Sequence, residues 1–236
     1  MMTYTVRAQT LIVTGDFDGL STGINGGRRR VRAVLNHQVG FDFNEPDARA
    51  YIARVVAGFE VAGPYFAFLT AVYMENLCVI EDARLTAFVT AGISNPVHDP
   101  SQPGTINIIL AIGGRMSEGA LANAIITATE AKTRALFDSG YDFTGTTTDA
   151  VVVLGVPPGP DDGAVPFYEY GGPLTEIGQS IYRCVKKGVR EGIKRQHHLG
   201  GEVNAGRRFA WRDGAAGGEW RELPRAFDGD GSQARG

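Results

Sequence analysis

Residues 150–156, AVVVLGV, are seven consecutive positions without a charge or a polar side chain. The run is far too short for a membrane helix and too apolar for a half-exposed strand. It predicts a strand buried on both faces. Such a strand needs material packed above and below it, which commits the chain to a layered fold. With 236 residues, 43% of them apolar, the chain can build a sizeable core as one large domain.

The segments around this strand read as helices and further strands. TYTVRAQTLIVTG alternates and is rich in β-branched residues, so it predicts strand structure. EPDARAYIARVVAGFEVAG predicts a helix, with Pro46 early and Gly58 and Gly63 late. FAFLTAV, LCVIEDARLTAFVTAGI and TINIILAI are strand-like, and their short connections favour antiparallel neighbours. Ser117 predicts the cap of a helix that ends before Gly140, with Glu118 in its first turn. On one face Leu121, Ile125, Ala128, Ala135 and Leu136 surround Lys132, while Glu130 lies opposite beside Ile126 and Phe137. Apolar on both sides, this helix is expected to be covered on both. Thr175 predicts the cap of a last helix whose inner face carries Ile177, Ile181, Cys184, Val185, Gly188 and Gly192. Inner glycines cost about 1 kcal/mol each against alanine, so a close backbone approach is expected there. The fold class is therefore α+β: a single layered domain over residues 1–199 with a largely antiparallel or mixed sheet and packed helices. Residues 200–236 are rich in Gly, Arg and Asp, and are expected to be a flexible or loosely docked tail with Trp211 and Trp220 as anchors.

Charge and cysteine content narrow the partners. A net charge of −3 and a pI near 5.8 give no electrostatic footprint for nucleic acid. No apolar run suggests a membrane span, and the N-terminus has no sustained apolar stretch of a signal peptide. Cys78 and Cys184 are isolated, as two half-buried thiols of a cytoplasmic protein would be. RRRVR, residues 28–32, reads as a solvated turn, or else as a cationic rim for an anionic ligand group.

Some motifs carry little. GLSTG (19–23) matches G-x-S-x-G, but it is preceded by DFD and followed by INGGRRR, which starts no helix, whereas a nucleophile elbow requires strand, turn and helix. His197 and His198 lack a third ligand at any metal spacing and read as a helix C-terminal cap, and His98 reads as a loop residue. Six other segments share small and amide side chains at turns beside apolar strands: LSTGINGG (20–27), LNHQV (35–39), VTAGISNP (89–96), GTIN (104–107), ATEAKT (128–133) and TGTTTDA (144–150). Each alone is ordinary turn chemistry. Six together, with Asn107 and Asp149 flanking buried strands, point to a polar ligand cavity.

In order and rough spacing these segments resemble the CbiZ-type adenosylcobinamide amidohydrolases over about residues 10–195, most specifically in the series GTIN, ATEAKT, TGTTTDA. AFLTA (67–71) departs from the G-M-M-T-A common in that family. The resemblance implies hydrolysis of the amide that joins aminopropanol to a propionate of the corrin ring, giving adenosylcobyric acid. It implies a corrinoid as small-molecule substrate and no required cofactor. Metal assistance and a homo-oligomeric state are left open.

Amide hydrolysis needs an activated nucleophile, donors for the oxyanion and an acid for the leaving amine. Asp149 or Glu130 is the expected base and His37 a proton shuttle. Asn107, Asn25 and glycine N–H groups are the expected oxyanion donors. Ser21, Asn25, Gly26, Gly27, Asn36, Thr105, Lys132, Thr146, Thr147 and Thr148 are expected to contact substrate, with Lys132 alternatively pairing with Asp149. Two other readings stand beside this one. A corrinoid-binding module without catalysis would have lost its acids, yet Glu130 and Asp149 are both present. An autoprocessing threonine hydrolase would cleave before a threonine of GTTT (145–148).

Overall fold

One irregularity in a long strand sets the architecture of the computed structural model, which describes residues 2–93, 104–159, 163, 165–199, 208–212 and 219–223. Strands β1 (Thr3–Arg7) and β2 (Thr10–Ser21) form a hairpin, and β2 pairs along its length with β3 (Gly27–Gln38). The β2–β3 register shifts between Thr14 and Phe17. Before the shift the other side of β2 carries β1; after it, Asp18–Ser21 pair with β9 (Ala150–Gly155). A bulge bends and twists its strand. The other strands of this sheet are β4 (Tyr65–Thr70), β5 (Cys78–Asp82), β6 (Leu85–Gly92) and β7 (Thr105–Ile112), while the short β8 (Arg115–Met116) and β10 (Phe167–Tyr168) pair in parallel apart from it. The sheet runs β4-β3-β2-β9-β7-β6-β5, with β1 on β2.

The sheet folds over on itself. Phe66 and Phe68 of β4 share one buried cluster with Phe88 of β6, Ile109 of β7 and Val152 of β9, although β4 and β6 lie near opposite ends of the strand order. Helix α1 (Ala48–Ala57) covers the outside of one half, laying Ile52 and Val56 on Ile12, Leu35 and Ala67. Helices α2 (Glu118–Asp138) and α3 (Glu176–Leu199) cover the outside of the other, packing on Val89, Ile108, Leu110 and Val153. The domain is thus a layered α and β structure, as the apolar run of β9 predicts, with a mixed sheet and, among the described residues, three α-helices.

The caps are where the sequence puts them. The Ser117 hydroxyl accepts from Ala120 N at 2.9 Å, the Thr175 hydroxyl accepts from Gly178 N at 3.0 Å, and Gly140 has φ +87° beyond α2. A Cβ on Gly188 would lie 2.8 Å from Val89, and one on Gly192 would lie 3.0 Å from Ala91, so α3 does approach β6 closely.

Three expectations need correction. β5, β6 and β7 are antiparallel neighbours, but β4 is parallel to β3 and β9 is parallel to β7, each joined through a crossover helix. RRRVR is no turn: it is part of β3, where Arg28 and Arg30 pair with Asp18 and Asp16 of β2. Helix α2 is covered on one side only, since Ile126 and Phe137 are 54% and 47% exposed. Apart from these corrections, the tail also holds a two-stranded antiparallel pair, β11 (Arg208–Arg212) with β12 (Glu219–Leu223), in which Trp211 lies opposite Trp220. His98 and residues 94–96 lie outside the described residues.

Candidate functional site

The parallel pairing of β7 with β9 places Ala150 beside Asn107, so Asp149 stands at the mouth of the buried strand. Its carboxylate Oδ1 accepts from Ile106 N at 2.9 Å and from the Thr146 hydroxyl at 2.6 Å. Oδ2 accepts from Thr146 N at 3.0 Å and from Lys132 Nζ at 2.5 Å. Lys132 reaches it from the inner face of α2, and the two side chains are only 8% and 9% exposed. Removing two charges from water costs several kcal/mol per ion, which their attraction offsets only with good geometry and further hydrogen bonds. The four donors here supply both.

The loop before Asp149 is fitted closely to this pair. A Cβ on Gly145 would lie 2.4 Å from Lys132 Nζ and 2.5 Å from Asp149 Oδ2, so only glycine passes there without displacing the ion pair. The Thr148 and Thr105 hydroxyls are 2.8 Å apart, and the Thr133 hydroxyl donates to Thr144 O at 3.1 Å. Much of TGTTTDA is therefore stapled to α2 and to β7. The opening of β9 looks hydroxyl-rich because its threonines bond the carboxylate and its neighbours.

A second polar group lies between the two halves of the sheet. Asn36 Nδ2 donates to the Thr90 hydroxyl at 2.9 Å. Asn107 Nδ2 donates to Asn36 Oδ1 at 3.0 Å and to Leu69 O at 2.9 Å. Both N–H bonds of Asn107 are thus committed, and two acceptor oxygens fix which end of its amide is nitrogen. Its Oδ1 is buried with no hydrogen-bond partner among the described residues. Asn36, Thr90 and Asn107 are each 2% exposed or less.

The turn after β2 closes against the same end. Ser21 pairs with Val152, its hydroxyl accepts from Gly23 N at 3.1 Å, and Thr22 and Val151 exchange bonds through the Thr22 hydroxyl. Ile24 bridges to Ala67, two residues from Leu69, and carries the turn through Asn25 (φ 58°), Gly26 and Gly27 (φ 89°).

The structure therefore brings Lys132, Thr146 and Asp149 together on the α2 side of the sheet and pairs Thr105 with Thr148 at the start of β7, while Asn36 and Asn107 meet on the inner face and Ser21 lies in β2 beside Val152. Exposed Thr147 follows Thr146, while Asn25, Gly26 and Gly27 lie in the turn held against β4. Two expected residues lie elsewhere. Glu130 is exposed on the outer face of α2. His37 points to the α1 side of β3, opposite to Asn36, with Nδ1 at 2.7 Å from the Thr10 hydroxyl and Nε2 at 3.1 Å from the Tyr51 hydroxyl. Burial pushes His37 below its ordinary pKa of 6.5. Sequence reasoning missed Thr22 and Thr90, although both stand in segments marked by small residues at turns. Among the described residues no three His, Cys, Asp or Glu side chains form a metal-binding group.

A family model described as adenosylcobinamide amidohydrolase matches residues 4–201. A protein named adenosylcobinamide amidohydrolase from Methanosarcina mazei is 45% identical over 196 residues, covering 82% of this chain and 98% of the relative. One of the same name from Halobacterium salinarum is 31% identical over 189 residues, covering 74% and 79%. The solved structure of the PH0078 protein from Pyrococcus horikoshii OT3 superposes at a TM-score of 0.40 with 9% identity, covering 95% of this chain and 88% of that one.

Proposed function

The chain belongs to the adenosylcobinamide amidohydrolase family, and we propose that it hydrolyses the amide joining aminopropanol to the corrin ring of adenosylcobinamide, yielding adenosylcobyric acid. The observation that carries this reading is the match to almost the full length of a relative so named. What supports it in the site is a buried carboxylate held by Lys132 and Thr146 on the α2 side of the sheet, with a group of buried amides on the inner face of the same strands.

In this reading Asp149 takes the proton from the attacking group and passes it to the leaving amine. Lys132 offsets the carboxylate charge and fixes its orientation, as a base requires. Asn107 has no N–H left for an oxyanion, so that role passes to Asn25 in the turn after β2. Thr105, Thr147, Thr148 and Ser21 contact the amides of the corrin periphery, for which hydroxyls serve as both donors and acceptors. Glu130 and His37 stay outside this machinery because neither reaches Asp149.

We place the reaction in the cytoplasm, where two free, buried thiols such as Cys78 and Cys184 stay reduced. Among the described residues no helix is long and apolar enough to cross a membrane. The test is incubation with adenosylcobinamide, with and without a chelator, followed by mass analysis. Release of adenosylcobyric acid and free aminopropanol is expected, and unchanged substrate in both arms would refute the reading.

A further inference from the structure

We propose that the Thr146 hydroxyl is the nucleophile of this amide hydrolysis, attacking through Oγ1 to form a covalent ester with the corrin carbonyl. The inference rests on the amidohydrolase reading above. An activated nucleophile is recognised by geometry: a hydroxyl within hydrogen-bond reach of a base, and the base oriented by a third group. Thr146 Oγ1 lies 2.6 Å from Asp149 Oδ1, and Lys132 Nζ lies 2.5 Å from Asp149 Oδ2. Of the three, Asp149 and Lys132 have side chains less than a tenth exposed, whereas Thr146 is half-buried and meets solvent.

The neighbouring hydroxyls do not share this position. Thr148 bonds Thr105, and the Thr133 hydroxyl is spent on Thr144 O. The Thr146 backbone N–H also donates to the carboxylate, at 3.0 Å. Two bonds from one residue hold its hydroxyl in register with the base. Gly145 lets the chain pass against the ion pair at a distance no side chain would allow.

The step balances without a further reactant. Thr146 Oγ1 bonds to the amide carbonyl carbon as its proton moves to Asp149. The C–N bond then breaks, and aminopropanol leaves with that proton. Water next attacks the ester, giving its proton to Asp149, which returns it to Thr146 Oγ1 as the carboxylic acid departs. Amide and water enter; acid and amine leave.

The experiment compares wild type, Thr146→Ser and Thr146→Ala with adenosylcobinamide, in water and in hydroxylamine. Thr146→Ser keeps the hydroxyl and is expected within about tenfold of wild type. Thr146→Ala is expected to lose about 10³-fold or more, with a circular dichroism spectrum like that of wild type. Hydroxylamine intercepts the ester, so wild type is expected to form a corrinoid hydroxamate and Thr146→Ala none. Acid-quenched wild type should carry the corrinoid acyl mass on the peptide containing residue 146. A folded Thr146→Ala within tenfold of wild type overturns the proposal. So does an inactive Thr146→Ala when wild type gives neither hydroxamate nor acyl mass, which would make Thr146 a positioning residue for water. If wild type itself fails to release aminopropanol, the amidohydrolase reading falls with it, and wild-type turnover distinguishes the two failures.

Discussion

Two parallel crossovers run through this molecule, β3–α1–β4 and β7–α2–β9, and each sets a polar pair between its helix and a strand end. In the first, His37 meets Tyr51 of α1, and both are half-buried. In the second, Lys132 of α2 meets Asp149, and the pair is less than a tenth exposed. Losing a partner costs a neutral hydrogen-bonded group about 1 kcal/mol, but costs a buried ion about 3–5 kcal/mol. The same connection therefore carries a mild stitch in one half and a demanding one in the other. Such a pair contributes little net stability over an apolar substitute. Its cost points to chemistry at β9, whereas the His37 pair needs no explanation beyond packing.

The comparison breaks first at Asp149. Asp149→Asn keeps the shape and some of the hydrogen bonds, but the side chain cannot accept a proton. Turnover is expected to fall by about 10²–10⁴-fold, with corrinoid binding retained. Steady-state rates beside equilibrium binding of adenosylcobinamide measure this. Normal turnover in a less stable protein would reduce Asp149 to a loop staple and make the two crossovers alike.

Lys132→Met comes next, since it leaves a carboxylate buried without its cation. A loss of about 3–5 kcal/mol in denaturant unfolding is expected. Adding Asp149→Asn to it should recover part of that loss, because no charge then remains buried. Additive losses in the double variant would show that the two side chains do not act as one unit.

The difference between the crossovers was only partly legible in the sequence. Lys132 on an apolar helix face and Asp149 before AVVVLGV were both visible, because helical period and a buried run speak locally. Their partners were less so: Ile106 N reaches Asp149 only through the β7–β9 register, which no single segment encodes. The same blindness turned RRRVR into a turn. The four arginines are solvated as expected, but they lie on a strand where Arg30 and Arg28 pair with Asp16 and Asp18 of the neighbouring strand, and cross-strand pairs are a property of two segments. The α3 glycines were readable because an unfavourable residue in a helix needs a local reason. The β11–β12 pairing was missed because Gly and Arg around RFAWR and EWREL hid two short alternating runs. The sequence put Glu130 on the face opposite Lys132, and only the expected cover over that face is missing among the described residues; His37 was chosen by chemical type, which does not fix the face of a strand.

The smallest expected effect belongs to His37, where pH sharpens the comparison. Burial lowers the folded-state pKa of His37, so the native protein holds this ring neutral while the unfolded chain protonates it near the ordinary value of 6.5. The unfolded state thus binds more protons between the two values, and stability rises with pH across that window. The contribution is fully present above about pH 6.5 and is lost as pH falls through the lowered folded-state pKa. His37→Gln should therefore cost about 1 kcal/mol at pH 7.5, for lost bonds to Thr10 and Tyr51, and less than that at pH 5. Melting temperatures of both proteins across pH 5–8 should converge on the acid side. The acids that titrate lower still, such as Asp16 held down by Arg30, are common to both proteins and cancel in the difference. Turnover of His37→Gln at neutral pH is expected to equal that of wild type, because the ring faces α1 rather than Asp149. A 10²-fold or larger loss of turnover with the melting curves unchanged would instead make His37 the proton carrier. The chemistry would then have to span both crossovers.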